Sequence, residues 1–320
     1  MLTPHQLEQR KGKVTASLVP AICGLDPYKG PVQAFLEITG RKLDEDEAPI
    51  AAEIGSLLEE PIIRLTEQKT GRKIRRRNIW RVLQDGPLAG KVGATLDFDY
   101  DDETRYGEVK TSGLVHGFGD HSAWGEEGTD EVPERVLVQV ATQMLVSPEK
   151  VECIVPALIG RNKGLAIYRV RRDADLVGVV GERIAKFFRD YIETDTMPPL
   201  ESGVDADYVI DVARSMGSKV GASVEIDPAL AAEYAAARDM EKAGEEAKKI
   251  AGAKIRLVLD GAEVGIADGW SISHKRPKDS LVFDKAAFEA DNPELFARYC
   301  SLRPSSPRLL VTAKKATVKS

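Results

Sequence analysis

Three cysteines in 320 residues, Cys23, Cys153 and Cys300, lie far apart and include no C-x-x-C pair. That excludes a disulfide framework and a zinc or iron–sulfur centre built on paired thiolates. Long apolar runs are missing too: no stretch approaches the roughly eighteen residues of a membrane helix, and the opening MLTPHQLEQR has no apolar signal core. The expectation is a soluble, cytoplasmic protein. Net positive charge is also absent, with 45 Lys and Arg against 51 Asp and Glu, a formal charge of −6. Phosphate contacts release counterions and call for cations, so a nucleic-acid partner has to be sought in how the charge is distributed. Three basic groups stand out: Arg10, Lys11 and Lys13; Arg72, Lys73, Arg75, Arg76 and Arg77; and Arg169, Arg171 and Arg172. Such runs are solvated faces in most proteins. Much of the acidic excess lies elsewhere, in DEDE (44–47) and around 101–103 and 126–134.

What the chain does have is KVGATLDFDYDDETRYGEVKTS from Lys91 to Ser112, two alternating strands across a short acidic turn. In the first, Val92, Ala94, Leu96, Phe98 and Tyr100 share one face and Asp97 falls on the other. In the second, Glu108 and Lys110 share a face and Val109 points away, because strand side chains alternate with period two. Two carboxylates and an amine can therefore converge. A hard divalent cation such as Mg²⁺, with Mn²⁺ as a substitute, takes one or two carboxylates and fills its remaining positions with water and phosphate oxygens. A metal of this kind activates water and offsets charge on a phosphoryl transition state, while a lysine beside it orients or deprotonates the nucleophile. An isolated E-x-K tripeptide is also what a solvated strand face with a salt bridge looks like.

The same residues fit a second pattern. Asp97, Asp99, Asp101 and Glu108 stand at positions one, three, five and twelve of a calcium-binding loop. Position six is Asp102 where that loop needs glycine, and the flanks read as strands where it needs helices.

Upstream, residues 50–71 (IAAEIGSLLEEPIIRLTEQKTG) predict an amphipathic helix with Ile54, Leu58, Ile62 and Leu65 at helical spacing, a stop at Gly71 and an interruption at Pro61. Glu59 and Glu60 precede the proline; on helix grammar both are surface carboxylates. Downstream, VPERVLVQVATQMLV (132–146) puts Gln139 and Gln143 on one face and Val136, Val140 and Met144 on another, and paired glutamines of this kind usually face solvent.

Asp97, ten intervening residues and then Glu108-x-Lys110 match the PD-(D/E)xK nuclease pattern, with Leu96 in place of its proline. Taken in order with RKGKVTAS (10–17), the Gly55, Glu59 and Gly71 spacing and the Gln139 helix, the chain resembles the YqaJ-type viral recombinase family, relatives of phage lambda exonuclease. The resemblance implies an α/β fold with a PD-(D/E)xK restriction-endonuclease-like core, a mixed central sheet flanked by helices. It implies that Asp97, Glu108, Glu59 and the backbone carbonyl of Val109 bind Mg²⁺, with Glu60 a bystander. Lys110 would position or activate the attacking water and Gln139 would assist it. Arg10 and Ser17 match residues used near a 5′ phosphate, where a guanidinium and a hydroxyl suit a phosphate dianion; a surface charge and a helix N-cap are their alternatives. Arg75, Arg76 and Arg77 would add DNA contacts. The implied activity is 5′-to-3′ digestion of linear double-stranded DNA to 3′ single-stranded tails for a strand-annealing partner, by a homo-trimeric ring, in a bacterial host cell with a phage or prophage origin. A PD-(D/E)xK endonuclease, a helicase-coupled repair nuclease and a nuclease-dead DNA-binding module are the alternatives.

The expected catalytic domain spans 1–200. After the glutamine helix come strands VECIVPALIG (151–160) and LAIYRVRR (165–172), a helix from about Asp175 to Thr194, and a boundary at Met197-Pro-Pro-Leu200. Residues 201–320 form a smaller α+β extension of unknown role: a helix over 227–253, then strand candidates KIRLVLD, AEVGIAD, WSISHKR and PRLLVTAK. His274 and Lys275 in that tail are candidates for a DNA contact or plain surface residues.

Overall fold

The computed structural model describes residues 8–41, 50–100, 104–114, 123–160, 164–216, 221, 223–301 and 308–312, and the side chains of all these except 76, 215 and 216. The acidic run 44–47 and the turn residues 101–103 lie outside the described residues, as does part of PRLLVTAK. Among the described residues no helix is long and apolar enough to cross a membrane.

The chain forms two compact units, 1–213 and 214–320. In the first, β1 (Val14–Thr15), α1 (Val19–Ile22), α2 (Pro31–Ile38) and α3 (Ile50–Thr70) lead into β2 (Ile74–Val82) and β3 (Val92–Tyr100). Then come β4 (Arg105–Gly107), β5 (Lys110–Ser112), α4 (Glu134–Val146), β6 (Glu152–Ile159), β7 (Gly164–Arg171) and α5 (Ala174–Phe187), which runs into a π-helical turn (Phe188–Ile192). The helix α6 (Gly203–Met216) follows the Pro198–Pro199 segment. Seven strands make one mixed sheet: β2 and β4 pair antiparallel with β3, β1 parallel with it, β4 and β5 parallel with β6, and β7 antiparallel with β6. This is the expected α/β class, a mixed sheet with helices packed against it.

Apolar residues at alternate positions of β3 and β6 and along α4 and α5 build the main core, including Leu96, Tyr106, Val140, Met144, Val155 and Ile184. A smaller cluster joins Ile63, Ile74, Phe98, Tyr100, Ile154 and Ile167. α3 does not break at Pro61. It continues through that exposed position to Thr70 and ends at Gly71, which takes a φ of +66°. Its buried stripe is Ile62, Ile63 and Thr66, whereas Leu65 of the expected stripe is exposed.

The first unit extends past the Pro198–Pro199 segment. Asp205, fully buried on α6, accepts hydrogen bonds from the Val32 and Gln33 amides, both at 3.1 Å, and so caps the N-terminus of α2. Gly30 makes room for it, since a Cβ there would lie 2.2 Å from the Asp205 carboxylate.

The second unit holds α7 (Pro228–Leu259), a two-stranded hairpin of β8 (Val264–Ala267) and β9 (Trp270–Ser273), and the short helices α8 (Lys285–Asp291) and α9 (Pro293–Tyr299). Asp227 caps α7 through the Ala229 amide, in keeping with its Asp-Pro start. KIRLVLD, expected as a strand, is the last part of this helix. A short apolar run is ambiguous between the two periods, and the helix stops only where Asp260 and Gly261 take φ of +44° and +88°. Residues 308–312 carry no regular structure.

Candidate active site

The site is a fork in the sheet. Among the described residues β4 pairs with β3 only at Phe98–Gly107 and Asp99–Tyr106. Gly107 is required there because the Phe98 ring lies across it; a Cβ would stand 1.8 Å from Phe98 Cζ. Beyond Gly107 the chain stays with β6, the Glu108 amide bonding to the Ile154 carbonyl at 3.0 Å, and resumes as β5. The expected single strand through Glu108, Val109 and Lys110 is therefore two short ones. Across the break the Val109 amide donates to Asp97 Oδ2 at 2.7 Å, which tethers the acid of β3 to the turn that carries Glu108.

Glu108 is almost fully buried and held on both oxygens. Its Oε1 accepts from Lys110 Nζ at 2.6 Å and from Gln139 Nε2 at 2.6 Å. Its Oε2 accepts from Gln143 Nε2 at 2.5 Å. Lys110 Nζ also donates to Gln139 Oε1 at 2.9 Å, so carboxylate, ammonium and amide close a triangle. Glu59 reaches the same cleft from α3. Gly55, one turn earlier, lets the helix come close to β5, since a Cβ there would be 3.3 Å from Thr111 Oγ1.

Arg10 and Ser17 line the same cleft. The Arg10 guanidinium donates to Thr95 Oγ1 at 2.8 Å and lies over Trp80, 5.5 Å from the ring centroid. Ser17, exposed, has its Oγ 3.0 Å from Thr15 Oγ1. The open cleft has a volume of about 610 Å³ and is lined by Arg10, Ser17, Glu59, Asp97, Glu108, Val109, Lys110 and Gln139 among others.

Arg77 is elsewhere, paired with Glu60 at 2.9 Å and near Glu67 at 4.0 Å. Arg75 does not line the cleft either, and the Arg76 side chain is outside the described residues. Glu60, which also accepts from Arg64 at 3.1 Å, faces these cations. Asp99 of the calcium-loop pattern is buried and paired with Lys150 at 2.6 Å, and both flanks of that pattern are strands.

The acids crowd one another. Burial first, then the Glu108 charge, pushes the Asp97 carboxyl well above its usual range; Glu59 adds to this, while Lys110 and the Val109 amide oppose it. Glu59 is also raised, by burial and then by Glu108 and Glu60, with Lys110 opposing. Burial pulls the Arg10 guanidinium down, against attraction from Asp97 and Glu37.

Among the described residues the cleft offers oxygen donors and no histidine or cysteine, a set that suits Mg²⁺ or Mn²⁺ and not a thiolate metal. Among the described residues no three His, Cys, Asp or Glu side chains close into a ligand cage. Mg²⁺ does not ask for one: it keeps several waters and takes one or two carboxylates. The donor set fits.

Gln143, expected to face solvent, is fully buried. It joins Glu108 to the Thr95 carbonyl, to which its Nε2 donates at 3.0 Å. The signal is in the sequence: from Val136 to Val146 the helix has no charged residue and is apolar on nearly every side, which marks it as buried, and a buried amide must find partners. Gln143→Leu keeps the volume and strands the Glu108 Oε2 and the Thr95 carbonyl. We expect a loss of roughly 2–4 kcal/mol in denaturant unfolding; unchanged stability would show that these contacts are not what holds Glu108.

Residues 5–150 match the family model described as the YqaJ-like viral recombinase domain. The uncharacterized protein YqaJ of Bacillus subtilis (strain 168) is 27% identical over 202 residues, 63% of this chain and 60% of the relative. The chain thus spans about 60% of the length of the curated relative it matches. Among solved structures, the alkaline exonuclease LHK-Exo from Laribacter hongkongensis aligns with a TM-score of 0.43 at 17% identity, covering 67% of this chain and 98% of that one. A phage related exonuclease from Haemophilus somnus 129PT aligns at 0.41 and 14%, covering 57% and 96%.

Proposed function

We propose, from the premise that residues 5–150 form a YqaJ-like viral recombinase domain, that this protein is a Mg²⁺-dependent 5′-to-3′ exonuclease of linear double-stranded DNA. One observation carries the reading: Glu59 of α3, Asp97 of β3, Glu108 of the turn between β4 and β5, Lys110 of β5 and Gln139 of α4 line one cleft that also holds Arg10 and Ser17.

Asp97 and Glu108, with the Val109 carbonyl, would hold the ion, with Glu59 completing the acidic cluster around it; the ion when bound supplies a polarised phosphate and a more acidic water. The rest is done by the chain. Glu108 and Gln139 fix the Lys110 ammonium with two of its three N–H donors, leaving the third for the attacking water or a phosphate oxygen. Gln139 keeps that geometry by bonding to both partners at once. Arg10, stiffened by Thr95 and Trp80, supplies a planar donor pair for a 5′-terminal phosphate, with the Ser17 hydroxyl beside it.

The product is a duplex with 3′ single-stranded tails, the substrate of a strand-annealing protein, in a recombination role of the phage type. A ring of three copies around the duplex accompanies this reading, and the mass in solution checks it.

The deciding experiment is digestion of linear DNA labelled at either end, with Mg²⁺ and with EDTA. Release of the 5′ label first, only with Mg²⁺, and an intact covalently closed circle are expected. Nicking of the circle would make the protein an endonuclease, and binding without cleavage a DNA-binding module. A 5′-phosphorylated duplex should be consumed about 10-fold faster than a 5′-hydroxyl one, in line with one charge-assisted contact of ~1.5 kcal/mol. Arg10→Ala should erase that preference, and equal rates in the parent would remove Arg10 from the role.

A further inference from the structure

A second, smaller cleft of about 330 Å³ shares no described residue with the first. Its walls are basic: Lys69 ends α3, Arg72 precedes β2, Arg105 opens β4 and Arg169 lies on β7. Among the described lining residues one acid, Glu127, stands with them and is already committed, to Lys69 at 2.5 Å and to the Ile167 amide at 3.1 Å. Lys69 is in turn held by Glu127 and the Leu165 carbonyl. Arg72 and Arg169 are exposed, and among the described residues neither has a carboxylate partner. Tyr100 lines the cleft with them. Burial pushes its hydroxyl up to about 12, against the Thr70 hydroxyl and both guanidiniums. It therefore stays protonated and is a donor at neutral pH. The carbonyl end of α3 opposes an anion here, but two uncommitted guanidiniums outweigh a half-charge at a helix end.

The position is as informative as the charge. Glu59 in the catalytic cleft and Lys69 in this one stand on the same helix, about 15 Å apart along its axis at roughly 1.5 Å of rise per residue. That is the run of about four nucleotides along one strand of a duplex, at roughly 3.4 Å each.

We propose that the cleft between Arg72, Arg169 and Tyr100 is a second DNA site, which grips a backbone phosphate of the duplex about four nucleotides from the scissile bond. It rests on the nuclease reading for its substrate. Phosphate contacts fix register without reading sequence, so its task is to hold the duplex while the end is trimmed.

The test uses the full-length chain with Lys110→Ala, so that the duplex stays whole. Adding Arg72→Ala and Arg169→Ala should weaken binding of a long duplex about 10-fold at moderate salt. It should also flatten the log–log salt dependence by about 1, at roughly 0.9 per lost phosphate contact. The Arg72→Lys, Arg169→Lys pair should keep the parent slope, and an unchanged melting temperature shows that the alanine pair folds. Should the unsubstituted chain digest linear DNA while the alanine pair keeps the parent affinity and slope, this site is wrong and the nuclease reading stands. Should the unsubstituted chain neither bind nor digest linear DNA, the nuclease reading falls and takes this site with it. Loss of inorganic phosphate binding in the alanine pair with duplex affinity intact would overturn the DNA assignment in favour of a small-anion site.

Discussion

Lys110→Ala is expected to lower the rate of Mg²⁺-dependent digestion of linear duplex by about 10²–10⁴-fold, the range of a positioned acid–base group, and to leave duplex affinity near that of the parent. The ammonium is held at 2.6 Å from Glu108 Oε1 and 2.9 Å from Gln139 Oε1, so its place in the cleft is set by the fold and not by the substrate. Truncation removes it without touching Asp97 or its bond to the Val109 amide. Affinity survives because the electrostatic part of DNA binding is spread over many phosphates. Glu108 is left with two amide donors and one more negative charge uncompensated, so Mg²⁺ should bind at least as well, and the assay belongs at saturating metal. Lys110→Arg should recover little, since a planar fork does not replace a compact ammonium in a triangle of this size. A Lys110→Ala protein that digests DNA within a few-fold of the parent would refute the role.

Asp97→Asn should match that loss by another route, and its stability carries the diagnosis. Asparagine keeps the shape and can still accept from the Val109 amide, but it brings no charge. Burial and Glu108 hold the Asp97 carboxyl well above its usual range in the folded protein. The stability contributed by its protonated form is therefore fully present below the unfolded value near pH ~4 and is lost as pH rises through the folded one. At neutral pH without metal, Asp97→Asn should melt higher than the parent. With Mg²⁺ the order should reverse: the parent gains about 2.7 kcal/mol at a hundredfold excess over Kd, and the variant gains little. Equal Mg²⁺-induced shifts in both proteins would take Asp97 out of the metal site.

Much of this site is legible in the order of the residues. Alternation along two strands is a strong constraint, and it places Asp97, Glu108 and Lys110 together even though the second strand is broken at Glu108–Val109. The Gly55-to-Glu59 spacing is one helical turn, and that is the turn that lets α3 approach β5. Side chains whose roles depend on what covers a helix are harder to read. Gln143 shares a face with Gln139, and local grammar gives both to solvent, but α4 is packed on most of its surface and both amides turn inward onto Glu108. In the second unit KIRLVLD has the length and composition of a strand, and only the helix before it and the Asp260-Gly261 stop after it decide the matter. α8 and α9 are only seven residues each, too short to show a clear period, and their one local mark is a start at Asp284 and at Asn292-Pro293.

The buried Asp205 cap sets where the protein can be cut. A fragment ending at the prolines near 200 would strip the carboxylate from the Val32 and Gln33 amides and leave a void under Gly30. A fragment that keeps everything through Met216 retains that clasp. Anyone preparing the first unit alone should therefore end it after this helix, and the shorter piece is expected to be the one that aggregates.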